Sequence, residues 1–168
     1  MLVQFWMVLR LTREIHELER ERLECLNMLS NYQKYSGMLG GSSIITGNNL
    51  AGLNSEILPR AMLFAQYSDQ ASSMAAMQRV QQMQAMGRMP IVNDPIAMRQ
   101  MQMSAFAQFK EEALKAQKQQ EMKIMDKIEG EIKLKLASID QKIKEKETYK
   151  ESVKNNFEKN QADFFKFG

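Results

Sequence analysis

One cysteine, one histidine and one tryptophan stand among 168 residues, and only three are proline. A lone Cys25 excludes an internal disulfide framework, and with a lone His16 it leaves too few ligands for a Cys- or His-based zinc site. The same scarcity leaves thiol–imidazole catalysis with a single possible pair. Cys25 lies close to Leu23, Leu26 and Leu29, the surroundings of a buried thiol rather than of a nucleophile. His16 sits among charged neighbours and reads as a surface residue.

Other absences narrow the field further. The glycines between 36 and 55 are followed by no Lys-Ser/Thr, and no dinucleotide fingerprint occurs, so phosphate-cradling loops are excluded. Valine and threonine are scarce and no alternating run is bounded by hairpin turns, which argues against a sheet. Charge of one sign is missing as well: 23 basic and 20 acidic residues are mixed along the chain and sum to +3. Nucleic-acid binding needs a one-signed stripe, so a nucleic-acid partner is not expected. The longest apolar run, Leu2–Leu9, is broken only by Gln4 and falls well short of the roughly 20 residues that span a bilayer. It also lacks the basic start and small-residue cleavage site of a secretory signal. The expectation is a cytoplasmic chain, or one exported by a signal-independent, type III-like route.

What is present is helix-forming. Hydrophobic residues make up 44% of the chain, enough for a core, and Ala, Leu, Met, Gln, Glu and Lys dominate. From Met122 to Phe164 a seven-residue repeat defines thirteen inward positions, and nine are apolar: Met122, Met125, Ile132, Leu136, Ile139, Ile143, Val153, Phe157 and Phe164. So narrow a stripe must lie against another helix. Leu11, Ile15, Leu18, Cys25 and Leu29 keep the same spacing near the start, with Arg22 as an intruder. Outside that stripe, Arg10–Glu14, Arg13–Glu17 and Arg20–Glu24 form opposite-sign pairs four apart, each contributing a few tenths of a kcal/mol. Lys146 and Lys150 are charged and Asn160 is polar on the later seam; such residues either fix register or face water where the partner helix has ended.

These patterns divide the chain into four zones. Residues 1–35 predict an amphipathic helix with an apolar end. Residues 36–55, holding five of the eight glycines with Ser42, Ser43, Asn48 and Asn49, predict a loop, Ile44 and Ile45 included. Residues 56–92 predict a charge-poor Met/Gln-rich helix, capped by Ser55 with Pro59 in its first turn and ended by Gly87 and Pro90. Residues 93–168 predict one long helix that starts at Asp94-Pro95, runs to about Gln161 and ends in an aromatic tail. Gly130 is its weak interior point. The fold class is all-α: an elongated helical hairpin or bundle with a long C-terminal coiled-coil helix. In an antiparallel pairing of first and last helices, Leu2–Val8 would lie against Phe157–Phe167.

No set of residues forms a convincing catalytic site. Glu14, Glu17, Glu19, Glu21 and Glu24 are interleaved with Arg13, Arg20 and Arg22, the composition of a solvated helix face. A catalytic carboxylate would need an apolar pocket. The thirteen lysines from Lys110 to Lys159 are interspersed with eleven acids, as on an exposed coiled-coil flank. The methionine cluster that includes Met74, Met77, Met83 and Met86 admits three readings: gap-filling in imperfectly packed helices, an adaptable groove for a partner helix, or a soft Cu(I) site. With no histidine nearby, packing leads and copper comes last. No enzyme activity, cofactor or metal is expected.

The layout, terminal helices pairing with little cysteine and no cleaved signal, is similar to that of the rod, needle and filament subunits of bacterial type III secretion and flagella. The sequence predicts a structural subunit that self-assembles through its paired terminal helices, with the charge-poor middle as a second contact surface, into a homo-oligomer or filament; Cys25 and Trp6 depart from the pattern of those appendage proteins. The sequence therefore predicts copies of itself as partner. Leu2, Phe5, Trp6, Met74, Met77, Met83 and Met86 are candidate contact residues. The alternative is a helical adaptor or chaperone-like module whose Met-rich helix receives a partner helix. A membrane-surface contact through Leu2–Val8 is the third possibility.

Overall fold

A computed structural model of the chain describes residues 2–41, 50, 52–90 and 94–166, without the side chains of Leu2 and residues 162–166. Ile44 and Ile45, and the side chains of Leu2, Phe164, Phe165 and Phe167, on which expectations were placed, lie outside the described residues. The described residues form three helices and no strand: α1 (Leu2–Gly40), α2 (Leu58–Ala85) and α3 (Pro95–Lys166). The all-α class expected from composition is what the chain adopts.

The helix ends follow local chemistry. At the start of α3, Asp94 Oδ1 accepts a hydrogen bond from the Ile96 amide at 2.9 Å, and Pro95 occupies the first turn, where its missing amide costs nothing. At the end of α2, Gly87 adopts φ +62°, and the Arg88 amide donates to the Met83 carbonyl at 3.0 Å. That left-handed residue closes the last turn, a conformation a side chain would strain. The start of α2 differs from expectation. Its N-cap is Ile57 rather than Ser55, and Asn54 Oδ1 accepts the Ile57 amide at 3.3 Å. α1 also differs, running through Gly37 to Gly40 where turn composition placed a break at 36. Tyr35 and Leu39 are fully buried on that last stretch. Burying each contributes about 2 kcal/mol, which outweighs the roughly 1 kcal/mol cost of a helical glycine.

The chain forms two compact units, Met1–Ser30 with Ile128–Gly168, and Asn31–Lys127, so α1 and α3 each contribute to both. In the first unit the core is the seam: Leu11, Ile15 and Cys25 of α1 and Ile132, Leu136, Ile139 and Val153 of α3 are buried. Leu18, Leu29, Ile143 and Phe157 are half-buried. Ion pairs fix the direction of the two helices. Glu14 pairs with Lys146, Glu21 with Lys135 and Arg22 with Asp140, so between residue 14 and residues 21–22 of α1 the partner on α3 falls from 146 to 135–140. The helices are antiparallel.

In the second unit, Tyr35, Leu39, Leu50, Leu53, Ile57, Ala61, Ala76, Met89 and Met125 make the core. α2 and α3 run antiparallel there too, as the Arg60–Glu121 and Asp69–Lys110 pairs show.

Gly130 lies inside α3, and a Cβ added there would meet nothing within 4 Å. Gly130→Ala is therefore expected to stabilise the protein by about 1 kcal/mol through helix propensity alone. Urea denaturation followed by circular dichroism checks it, and an unchanged or lowered midpoint would contradict a continuous helix at this point.

Candidate interaction surfaces

The first unit pairs much of its seam internally. Two of the three basic intruders are paired across the seam: Arg22 Nε donates to Asp140 Oδ1 at 2.6 Å, and Lys146 Nζ to Glu14. The Lys146 bond, then Arg10 from the same helix, holds the Glu14 carboxyl below its ordinary range. Glu21 beside Lys135 holds that ammonium above its ordinary range. Glu129, an inward acid, is buried and reaches Lys133 one turn on at 3.4 Å. The outward side of the same unit is less settled. Val3, Phe5, Trp6 and Leu9 are exposed, Trp6 by 68% of its surface. Met7 is exposed too, its sulfur 3.7 Å from the Tyr149 hydroxyl of α3. Cys25 is a buried thiol, and His16 is exposed with Nδ1 2.9 Å from Glu19 Oε2, as their neighbours suggested.

In the second unit α2 is built with its small residues inward. Ala61, Ser68, Ser72 and Ala76 form the buried face. Ser68 and Ser72 Oγ donate to the Ala65 and Asp69 carbonyls, so neither hydroxyl is left unsatisfied. Small side chains let the backbone of α2 approach its neighbours closely. The large apolar side chains are consequently turned out: Leu63, Tyr67, Met74 and Met77 are all more than half exposed, Met74 by 69%. At 100° per residue these four share one side of the helix with Gln70, Gln78 and Gln81, and from residue 63 to 81 no charged residue lies among them. Of the other methionines singled out, Met86 is exposed and Met83 half-buried. Phe64, Tyr67, Ser68, Ala71, Gln117 and Gln120 line a shallow groove between α2 and α3, and Gln117 Oε1 is buried without a hydrogen-bond partner.

A polar cluster that no sequence pattern announced anchors this surface from within. Arg60 grips Glu121 with two bonds, Nε to Oε1 at 2.6 Å and Nη2 to Oε2 at 3.1 Å, and the Tyr35 hydroxyl donates to the same Oε1 at 3.4 Å. Burial, with the Glu121 charge added, pushes the Tyr35 hydroxyl above its ordinary value. The bond to Glu121 raises Arg60 likewise. Along the same helix pair, the Arg79 guanidinium lies 4.6 Å over the Phe109 ring and bonds Glu112 at 2.9 Å.

Among the described residues, no group of three His, Cys, Asp or Glu side chains is placed to hold a metal ion, and no helix is long and apolar enough to cross a membrane. What these surfaces can do chemically is cover apolar partners. No protein family, curated protein or solved structure matches the chain.

Proposed function

We propose that this chain is a non-catalytic structural subunit that associates with copies of itself, with the outward face of α2 as the principal contact. The observation that carries the reading is the inverted packing of α2. A helix with alanine and serine inside and Leu63, Tyr67, Met74 and Met77 outside keeps its main apolar area for something beyond its own unit. Four such side chains, at about 200 Å² each and more than half exposed, offer on the order of 500 Å² per copy, a large share of the roughly 800 Å² each partner gives to a standard interface. A face without charge meets its own copy with no like-charge penalty. The seam between α1 and α3 is paired within one chain, which favours the α2 face over the terminal helices as the contact. A homo-oligomer or filament of the secreted-appendage kind is the form such a subunit would take.

Light scattering after size exclusion, across a hundredfold range of concentration, tests this directly. The expected result is a mass that rises with concentration and a Met74→Glu/Met77→Glu variant that stays monomeric with unchanged helicity. A monomer at every concentration would refute self-association. A second reading, an adaptor that receives a partner's helix, draws on the unpaired Gln117 Oε1 at the α2–α3 groove, an acceptor that a donor from a docked chain would satisfy. It predicts a monomer whose surface is occupied only in a complex.

A further inference from the structure

We propose that the first three turns of α1 dock on the surface of an anionic lipid bilayer, lying in the interface without crossing it. Val3, Phe5, Trp6 and Leu9 are exposed together on the outward side of α1. At 100° per residue they cover about 160° of the helix circumference, wider than the two-position seam that one helix presents to another in a coiled coil. A face that broad suits a flat apolar phase.

Charge selects the phase. Residues 2–13 contain Arg10 and Arg13 and no acid. Both guanidiniums are more than four-fifths exposed, and their bonds to Glu14 and Glu17 are surface i,i+4 pairs that contribute little. They are free to turn to lipid phosphates while Phe5, Trp6 and Leu9 sink below the headgroups, the arrangement of an interfacial helix. A second copy fits less well. Paired antiparallel over Phe5 and Leu9, each chain would press Arg10 and Arg13 onto the other's apolar turns; paired parallel, the arginines would face each other. A bilayer interface accepts the aromatic and the basic groups at once.

Trp6 is the only tryptophan, so its emission reports this face and no other. The full chain is titrated with vesicles of phosphatidylcholine and phosphatidylglycerol at three to one, and with phosphatidylcholine alone, reading emission and flotation. The expected result is a blue shift of roughly ten nanometres with the anionic vesicles, at least tenfold weaker binding to the neutral ones, and weakening by added salt. Phe5→Gln/Leu9→Gln should lower the affinity at least tenfold with helicity retained, since both side chains are exposed. Arg10→Gln/Arg13→Gln should remove the preference for anionic lipid. Trp6 emission unchanged by either vesicle overturns the proposal. So does emission that shifts with protein concentration alone, which would mean that a second copy covers the face. Because the readout needs no oligomer, it stands or falls separately from self-association through α2.

Discussion

Ile139→Asp is expected to cost 4 kcal/mol or more and to leave the first unit unfolded under conditions where the parent chain is folded. Ile139 is 2% exposed in the middle of the α1–α3 seam. Removing its apolar side chain alone costs about 2–4 kcal/mol, and the new carboxylate would add an unpaired buried charge. Leu134 supplies the control, because it lies five positions earlier on the same helix and is 73% exposed. Leu134→Asp should change stability by no more than about 0.5 kcal/mol. Urea denaturation monitored at 222 nm gives both values. Equal, small effects would mean that the seam does not hold α1 against α3. Both substitutions place Asp in the same helix and their propensity terms differ by only a few tenths of a kcal/mol, so burial accounts for the expected difference.

Two kinds of signal made much of this fold readable in advance. Spacing placed Ile132, Leu136, Ile139 and Val153 on one face of α3, and they are buried there, with Leu11, Ile15 and Cys25 buried on α1. Local chemistry placed helix ends where Asp94-Pro95 and Gly87 stand, because a cap or a positive φ depends on neighbours within four residues. Readability failed where the deciding partner was distant in sequence. Gly37 looked like a break until Tyr35 and Leu39 were seen in the core. Lys146 and Arg22 looked like flaws in their seams because Glu14 and Asp140, 132 and 118 positions away, could not be assigned to them. The two faces of α2 are hard to tell apart in sequence for another reason. Its small and large residues are all of middling or high hydropathy, so polarity gives no clue to which side faces in. Only size distinguishes the two faces, and the small one is the one buried. Met74 and Met77, for which packing is the leading expectation and partner contact the alternative, stand outside as a result.

The buried cluster of the second unit sets the other large effect. Tyr35→Ala is expected to cost about 3–5 kcal/mol, the range for a fully buried aromatic, since none of the Tyr35 side chain reaches solvent. Glu121→Ala should cost about 2–3 kcal/mol. Breaking a wholly buried pair costs more than that, but the Arg60 side chain keeps 40% of its surface in water and can recover hydration, whereas Glu121 keeps 11%. A double-mutant cycle between Arg60→Ala and Glu121→Ala should therefore return a coupling of at least 1 kcal/mol, above that of exposed pairs such as Arg13–Glu17. Alkaline pH offers an independent check on Tyr35. The folded state holds the phenolic proton more tightly than the unfolded chain, where the ordinary value is 10.0. The contribution is thus complete below pH 10 and is lost as pH rises above it, by up to about 1.4 kcal/mol per pH unit. Tyr35→Phe removes that titration and, at neutral pH, costs only about 1 kcal/mol for a long hydrogen bond. Above pH 10 the parent should lose stability faster than Tyr35→Phe, and parallel pH profiles would show that the hydroxyl is not held in a buried setting beside Glu121.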